Sequence, residues 1–278
     1  MLISFKFLRE LYIIQMIVTV DSKWLLSHLD DPNIIIIDAR GVMPYRFGHV
    51  KNAFPLDVER VISLADNGAN LVIDAPTAEK LFSGLGIGTD GSKMVVVYGE
   101  YTDPSAARIV WTLMYHGHQN VKMLDVGLNE WQKAGLPVTR QIANQKHSNE
   151  NVQFKSNINS TIRADADMIN ARQQNHSNTI IIDSRTPIEH MQARIPGSIL
   201  DDWEEGLGSS GEMMKSKEEL EKGFEEKRIS KDKEIICYCH SGTRASHKYL
   251  QFKQAGYDNV KLYDGSIIDW AQRRNPIR

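Results

Sequence analysis

The run Cys239-His240-Ser241-Gly242-Thr243-Arg244 places a thiol, a glycine and an arginine at fixed offsets. The apolar stretch Glu234-Ile235-Ile236-Cys237-Tyr238 leads into it, and a helix-like stretch over 245 to about 255 follows. The order predicts a strand, a tight loop and a helix start. A thiol at such a junction meets backbone N–H groups that have no intrahelical partner. Those donors, the helix dipole and a nearby guanidinium favour the thiolate, the nucleophilic form. A thiol that does chemistry must also be reachable from solvent. Cys237 lies two residues earlier, inside the apolar run, and reads as packing, as most free cysteines do.

The elements that must position this loop come from the rest of the chain. Its 278 residues suggest about two domains. A composition of 41% hydrophobic and 24% charged residues fits a globular protein. The net charge of −2 gives no reason to expect nucleic acid or a membrane surface as partner. Two cysteines are too few for a disulfide framework, which points to a reducing, cytoplasmic setting. Residues 11–20 are apolar and imitate a signal-peptide core, but Lys6, Arg9 and Glu10 interrupt the approach and no small-residue cleavage site follows. With Met16 as a second possible start, residues 1–17 read as an extension.

The chain repeats itself at a spacing of roughly 140 residues. Ile34-Ile35-Ile36-Ile37-Asp38-Ala39-Arg40 resembles Ile180-Ile181-Ile182-Asp183-Ser184-Arg185, each a buried parallel-type strand ending in Asp-x-Arg. Gly48-His49-Val50-Lys51-Asn52-Ala53 matches Ala193-Arg194-Ile195-Pro196-Gly197-Ser198, and Met94-Val95-Val96-Val97-Tyr98 matches Glu234–Tyr238. Gly117 to Asp125 pairs with Gly256 to Asp264, and Trp131 and Trp270 follow at equal distance. Strands alternate with helical patterns such as 105–116, which predicts an α/β fold with a mainly parallel sheet, present twice. The expected domains are 18–140 and 162–277. The polar stretch 141–161 reads as a surface linker. In the first copy the nucleophile position is Gly99, and Glu100 and Asp103 replace the basic loop end. Acids there would repel a thiolate or an anionic substrate, so the first copy is expected to be catalytically silent, a scaffold and cleft wall.

The Asp-x-Arg strand ends, the Ile195-Pro196-Gly197-Ser198 turn, the Cys239-x-x-Gly-x-Arg244 loop and the Asp264-Gly265-Ser266…Asp269-Trp270 ending together resemble the two-domain rhodanese family of sulfurtransferases. The resemblance spans nearly the whole chain. It implies two tandem rhodanese-like domains, each a mainly parallel sheet flanked by helices on both faces. It implies a double displacement: Cys239 takes sulfur from a small anionic donor as a persulfide, then passes it to cyanide or a thiol. No cofactor and no metal are implied, and a monomer is expected. The loop amides of residues 240–244 should point at the sulfur, with His240, Ser241, Gly242 and Thr243 lining the site and Gly242 making the turn. Arg244 would close the loop and hold the anion, or form a structural ion pair, with Asp183 as its supporting partner. Arg185 would clamp a sulfonate bidentately, or pair structurally with an aspartate. Arg194 departs from the histidine usual in the family before the Ile-Pro-Gly turn. Trp131, Trp203 and Trp270 read as packing. Positive charge at the loop end favours thiosulfate as donor, with 3-mercaptopyruvate as the alternative.

Two other readings compete. Cysteine-dependent phosphatases and arsenate reductases also close a thiolate cradle with arginine, but with five residues between Cys and Arg where this loop has four. A non-catalytic sulfur-carrier or regulatory binding module would keep the fold without turnover.

Overall fold

The computed structural model describes residues 18–142, 152–175 and 177–278. The apolar segment before Val18 lies outside them. In chain order the strands are β1 (Thr19–Val20), β2 (Ile34–Asp38), β3 (His49–Val50), β4 (Ala53–Pro55), β5 (Ile62–Leu64), β6 (Asn70–Val72), β7 (Met94–Tyr98), β8 (Val121–Leu124), β9 (Val138–Thr139), β10 (Arg163–Ala164), β11 (Thr179–Asp183), β12 (Ile199–Leu200), β13 (Glu234–Tyr238) and β14 (Val260–Tyr263). The helices are α1 (Ser22–Ser27), α2 (Val42–Phe47), α3 (Ala75–Gly84), α4 (Ser105–Tyr115), α5 (Leu128–Lys133), α6 (Ala166–Gln174), α7 (Pro187–Gln192), α8 (Lys217–Glu226), α9 (Thr243–Gln254) and α10 (Ser266–Gln272).

Ile- and Val-rich runs buried on both faces form parallel sheets because β-branched side chains suit a pleated surface covered from both sides. The first sheet runs β1-β8-β7-β2-β4 and the second β10-β14-β13-β11-β12, so the two copies share one strand order. Register agrees as well: Asp38 stands opposite Tyr98, and Asp183 opposite Tyr238.

The hydrogen bonds repeat atom for atom. Tyr98 Oη donates to Asp38 Oδ2 at 2.6 Å and accepts from Val50 N at 3.1 Å. Tyr238 Oη donates to Asp183 Oδ2 at 2.8 Å and accepts from Ile195 N at 3.2 Å. Trp131 Nε1 donates to the Pro137 carbonyl as Trp270 Nε1 does to that of Pro276. These tryptophans and Trp203 are buried, as packing requires.

Each sheet carries helices on both faces. Leu25, Tyr45, Leu128 and Trp131 cover one face of the first sheet; Ile169, Ile267 and Trp270 do so for the second. The opposite faces share a single core. There α4 packs against α9, and the core runs through Ile35, Val97, Ile109 and Trp111 to Ile182, Ile235, Leu250 and Phe252. Every residue of α4 except Met114 is buried, the signature of a helix enclosed on all sides. Polar contacts join the halves too: Asn67 Nδ2 donates to Asp269, and Val72 N to Asp264 Oδ2 at 2.7 Å.

The stretch read as a surface linker behaves differently where it is described. Phe154 is buried edge-on against Phe82 in the shared core. Asn157 N and Asn159 N donate to the carbonyls of His116 and Tyr115. One aromatic side chain and a few backbone bonds dock a polar segment that has no core of its own.

Candidate active site

Strand β13 ends at Tyr238, whose carbonyl accepts from Ser184 N at 2.8 Å. The next residue, Cys239, leaves the sheet and is pinned at both ends. Its N–H donates to Ser266 Oγ at 3.0 Å, and its carbonyl accepts from Ile267 N at 3.2 Å. The chain then turns back over the sulfur, and Gly242 N–H donates to Cys239 Sγ at 3.1 Å. Gly242 takes the left-handed conformation with φ at +91°. A Cβ there would lie 2.5 Å from the Asp264 carbonyl oxygen and 2.7 Å from Arg108 Nη1, so glycine is required twice over. Thr243 opens α9 directly behind it.

The cradle differs from the sequence expectation in two ways. Among the described residues, Gly242 is the one loop residue whose amide donates to Sγ, where the amides of 240–244 were expected to converge. The thiol is also not open to solvent, for Cys239 is 1% exposed and joins the shared core. Exposed His240 marks the surface above it and lines a cleft of about 430 Å³ together with Arg185, Glu189, Ile267 and Ile268. Ser241 is half-buried beside it. Cys237 is fully buried, and desolvation pushes its thiol well above the usual range, the inert group expected.

Arg244 does form an ion pair, but with Glu189 rather than Asp183. Its Nη1 and Nη2 donate to the two carboxylate oxygens at 2.7 Å each. Glu189 sits in the first turn of α7, where it also caps Thr186 in a capping box. The Arg244 hydrogen bonds, working against partial burial, hold the Glu189 carboxyl down at about 2. Arg244 stays near the sulfur, but its charge is largely matched by this carboxylate.

Arg185 lines the cleft with one edge of its guanidinium already engaged, the structural Arg–Asp pair that was the alternative to a sulfonate clamp. Its Nε and Nη2 donate to Asp183 at 2.9 and 2.7 Å, and Nη2 also reaches the Ala193 carbonyl. Arg40 makes the same bonds to Asp38 and to the Gly48 carbonyl in the first copy, which has no cysteine. A pair present in both copies belongs to the fold. Asp183 also accepts from His190 and Tyr238; burial opposes its charge, yet the Arg185 hydrogen bonds hold its carboxyl below the usual range.

A residue that the sequence reading missed stands behind the loop. Arg108, on α4 of the first copy, is 0% exposed, and its Nε, Nη1 and Nη2 have no hydrogen-bond partner among the described residues. Its guanidinium lies over Trp111, 5.2 Å from the ring centroid, and 4.0 Å from Asp264 Oδ2. Asp264 already accepts from Arg163 Nε at 2.9 Å. Burial pushes the Arg108 guanidinium below its ordinary value, while Asp264 and the Cys239 sulfur pull the other way. The signal was a lone arginine inside the apolar run Ala106-Ala107-Arg108-Ile109-Val110-Trp111. Glu189 and Ser266 were also missed as site residues; the Thr186-x-x-Glu189 cap and the Asp264-Gly265-Ser266 turn carried their signals.

The corresponding loop of the first copy follows the same path without a nucleophile. Leu128 N donates to the Gly99 carbonyl at 3.0 Å, as Ile267 N does to Cys239. Glu100 lies 3.5 Å from Arg40, and burial raises its carboxyl.

Comparison with known proteins agrees with this architecture. The Rhodanese-like domain family model matches residues 21–134 and 165–273. A sulfur carrier protein, TtuD, of Thermus thermophilus is 29% identical over 273 residues, covering 91% of this chain and 93% of that protein. A putative thiosulfate sulfurtransferase of Mycolicibacterium smegmatis is 30% identical over 268 residues, covering 91% and 94%. The crystal structure of SseA from Escherichia coli, described as a 3-mercaptopyruvate sulfotransferase with the rhodanese fold, superposes with a TM-score of 0.76 at 28% identity, covering 90% of this chain and 98% of that one. Duplicated sheets, matched registers and these relatives together place the chain in the rhodanese family of sulfurtransferases, with two rhodanese-like domains in tandem.

Proposed function

We propose that Cys239 carries a sulfane sulfur from thiosulfate to a thiophilic acceptor such as cyanide. The observation that supports this most directly is the Cys239 sulfur held by the Gly242 N–H at 3.1 Å at the strand-to-helix junction. In the first half-reaction the thiolate attacks the outer sulfur of thiosulfate. The donor's S–S bond breaks, sulfite leaves with the electron pair, and a Cys239 persulfide remains. In the second, cyanide attacks the outer persulfide sulfur, thiocyanate leaves and the thiolate returns. The loop amide meets each anionic sulfur in turn. Because Cys239 is buried, the donor enters from the His240 cleft only after the loop side chains move aside. In this reading residues 162–277 form the working domain. Residues 18–140 form a silent one that fills the interface a second subunit would otherwise supply, so the chain acts as a monomer.

A second donor, 3-mercaptopyruvate, is favoured by the Glu189–Arg244 pair. With its charge matched, Arg244 offers less to a dianion than the sequence suggests. The similarity to SseA points the same way, and that to the Thermus sulfur carrier suggests a protein or thiol acceptor. Incubation with thiosulfate followed by intact-mass measurement should show a gain of one sulfur atom, removed by cyanide and absent in Cys239→Ser. No gain with either donor would leave a binding module. Steady-state comparison of the two donors then settles the preference.

A further inference from the structure

Two arginines flank the Cys239 loop: Arg244 at its last position, and Arg108, whose Nη1 lies 2.7 Å from where a Cβ on Gly242 would stand. Their surroundings are unequal. Arg244 has a carboxylate of its own in Glu189, through two hydrogen bonds. Arg108 and Arg163 share one carboxylate, Asp264, and the nearer partner is Arg163, at 2.9 Å against 4.0 Å. Around Arg108 itself stand one carboxylate, Asp264, and one further guanidinium, Arg163, which Asp165 and Tyr115 also face. The other group that faces Arg108 and can carry negative charge is the Cys239 thiol, while Cys237 is kept neutral by burial.

An unpaired charge in a protein interior is strongly unfavourable, and such a group is paired, neutralised or lost. Arg108 cannot easily neutralise itself, because guanidinium holds its proton across the working pH range. Its Nη1 lies 2.7 Å from where a Cβ on Gly242 would stand, so it fills the space beside the residue whose amide donates to the sulfur. We propose that Arg108, supplied by the copy without a cysteine, is a positioning residue for the reaction: it balances the anionic sulfur of Cys239, as thiolate and as persulfide, and braces Gly242 against it. The silent half of the chain is then part of the active centre. This rests on Cys239 as the sulfur-carrying residue.

The test is the ultraviolet absorbance of the Cys239 thiolate against pH, taken as the difference between each protein and its Cys239→Ser counterpart. It needs no reagent to enter the buried site. Arg108→Met should move the titration midpoint upward by at least about one pH unit, a tenfold loss of thiolate below the midpoint. Arg108→Lys, which keeps the charge, should recover most of that. Arg108→Gln serves as a second neutral variant should the methionine variant not fold, with circular dichroism confirming each fold. A midpoint unchanged in a folded neutral variant overturns the proposal. So does an equal shift in the lysine and neutral variants, which would show that shape and not charge matters. Sulfur loading from thiosulfate, read by mass in the unmodified protein, reports separately on the Cys239 reading: a normal titration without loading would refute the transfer chemistry and leave the Arg108 effect measured.

Discussion

Replacing Gly242 by alanine tests whether the loop geometry holds the sulfur. Gly197, in the Ile195-Pro196-Gly197-Ser198 turn, is a built-in control. It has φ at +75°, close to the +91° of Gly242, but nothing lies within 4 Å of the position a Cβ would take. Alanine at 197 therefore meets conformational strain alone, about 1–2 kcal/mol for an L-residue in the left-handed region. Alanine at 242 meets the same strain and two overlaps, one of them with the backbone oxygen of Asp264 at 2.5 Å. Overpacking of that kind adds about 1–3 kcal/mol. The loop can relieve the overlap only by lifting away, which stretches the 3.1 Å contact between Gly242 N and Cys239 Sγ. Loss of one preorganised donor to a reacting anion slows catalysis by about 10²–10³. Rapid-quench mass spectrometry of persulfide formation should thus show Gly242→Ala at least about a hundredfold slower than Gly197→Ala. Calorimetry should show it melting lower by several degrees. If the two variants match in both measurements, the close approach at Gly242 has no role and the reasoning fails.

Glu189→Gln should unmask the Arg244 charge beside the cleft and loosen the α7 cap. The KM for thiosulfate then falls about threefold or more while stability drops by roughly 1 kcal/mol, measured by steady-state kinetics and urea unfolding. Asp125, with Oδ1 buried and unbonded, has its carboxyl pushed up to about 6 by burial and by the neighbouring Asp21 and Glu212. A raised carboxyl favours the fold below the unfolded value and loses that contribution as pH climbs through about 6, so Asp125→Asn should flatten the pH dependence. After discounting for partial exposure, the variant should exceed the parent by about 1–2 kcal/mol near neutral pH and match it near pH 4, read from urea midpoints; an equal gap at both would exclude titration as the cause.

The architecture was legible because the same physical demands were met twice along the chain. The Ile-rich runs before Asp38 and Asp183, the tyrosines ending β7 and β13, and the paired tryptophans announced sheet, register and packing together. The nucleophile's place was legible because strand, glycine turn and helix are local. What escaped were contacts between distant residues. Arg244 could not be assigned to Glu189, 55 positions away, over the equally plausible Asp183. Arg185 was a candidate for substrate although its twin Arg40, in a copy with no thiol, already argued for a fold role. Arg108 escaped because its meaning depends on how α4 meets α9, and no periodicity in one segment encodes the partner it faces.

The burial of α4 and α9 against each other has a consequence for any attempt to separate the two halves. Either half cut loose would present water with a long greasy flank, and would clump before it could work. The half whose loop carries Gly99 in place of a cysteine is therefore as necessary to keeping that flank covered as the half that carries Cys239.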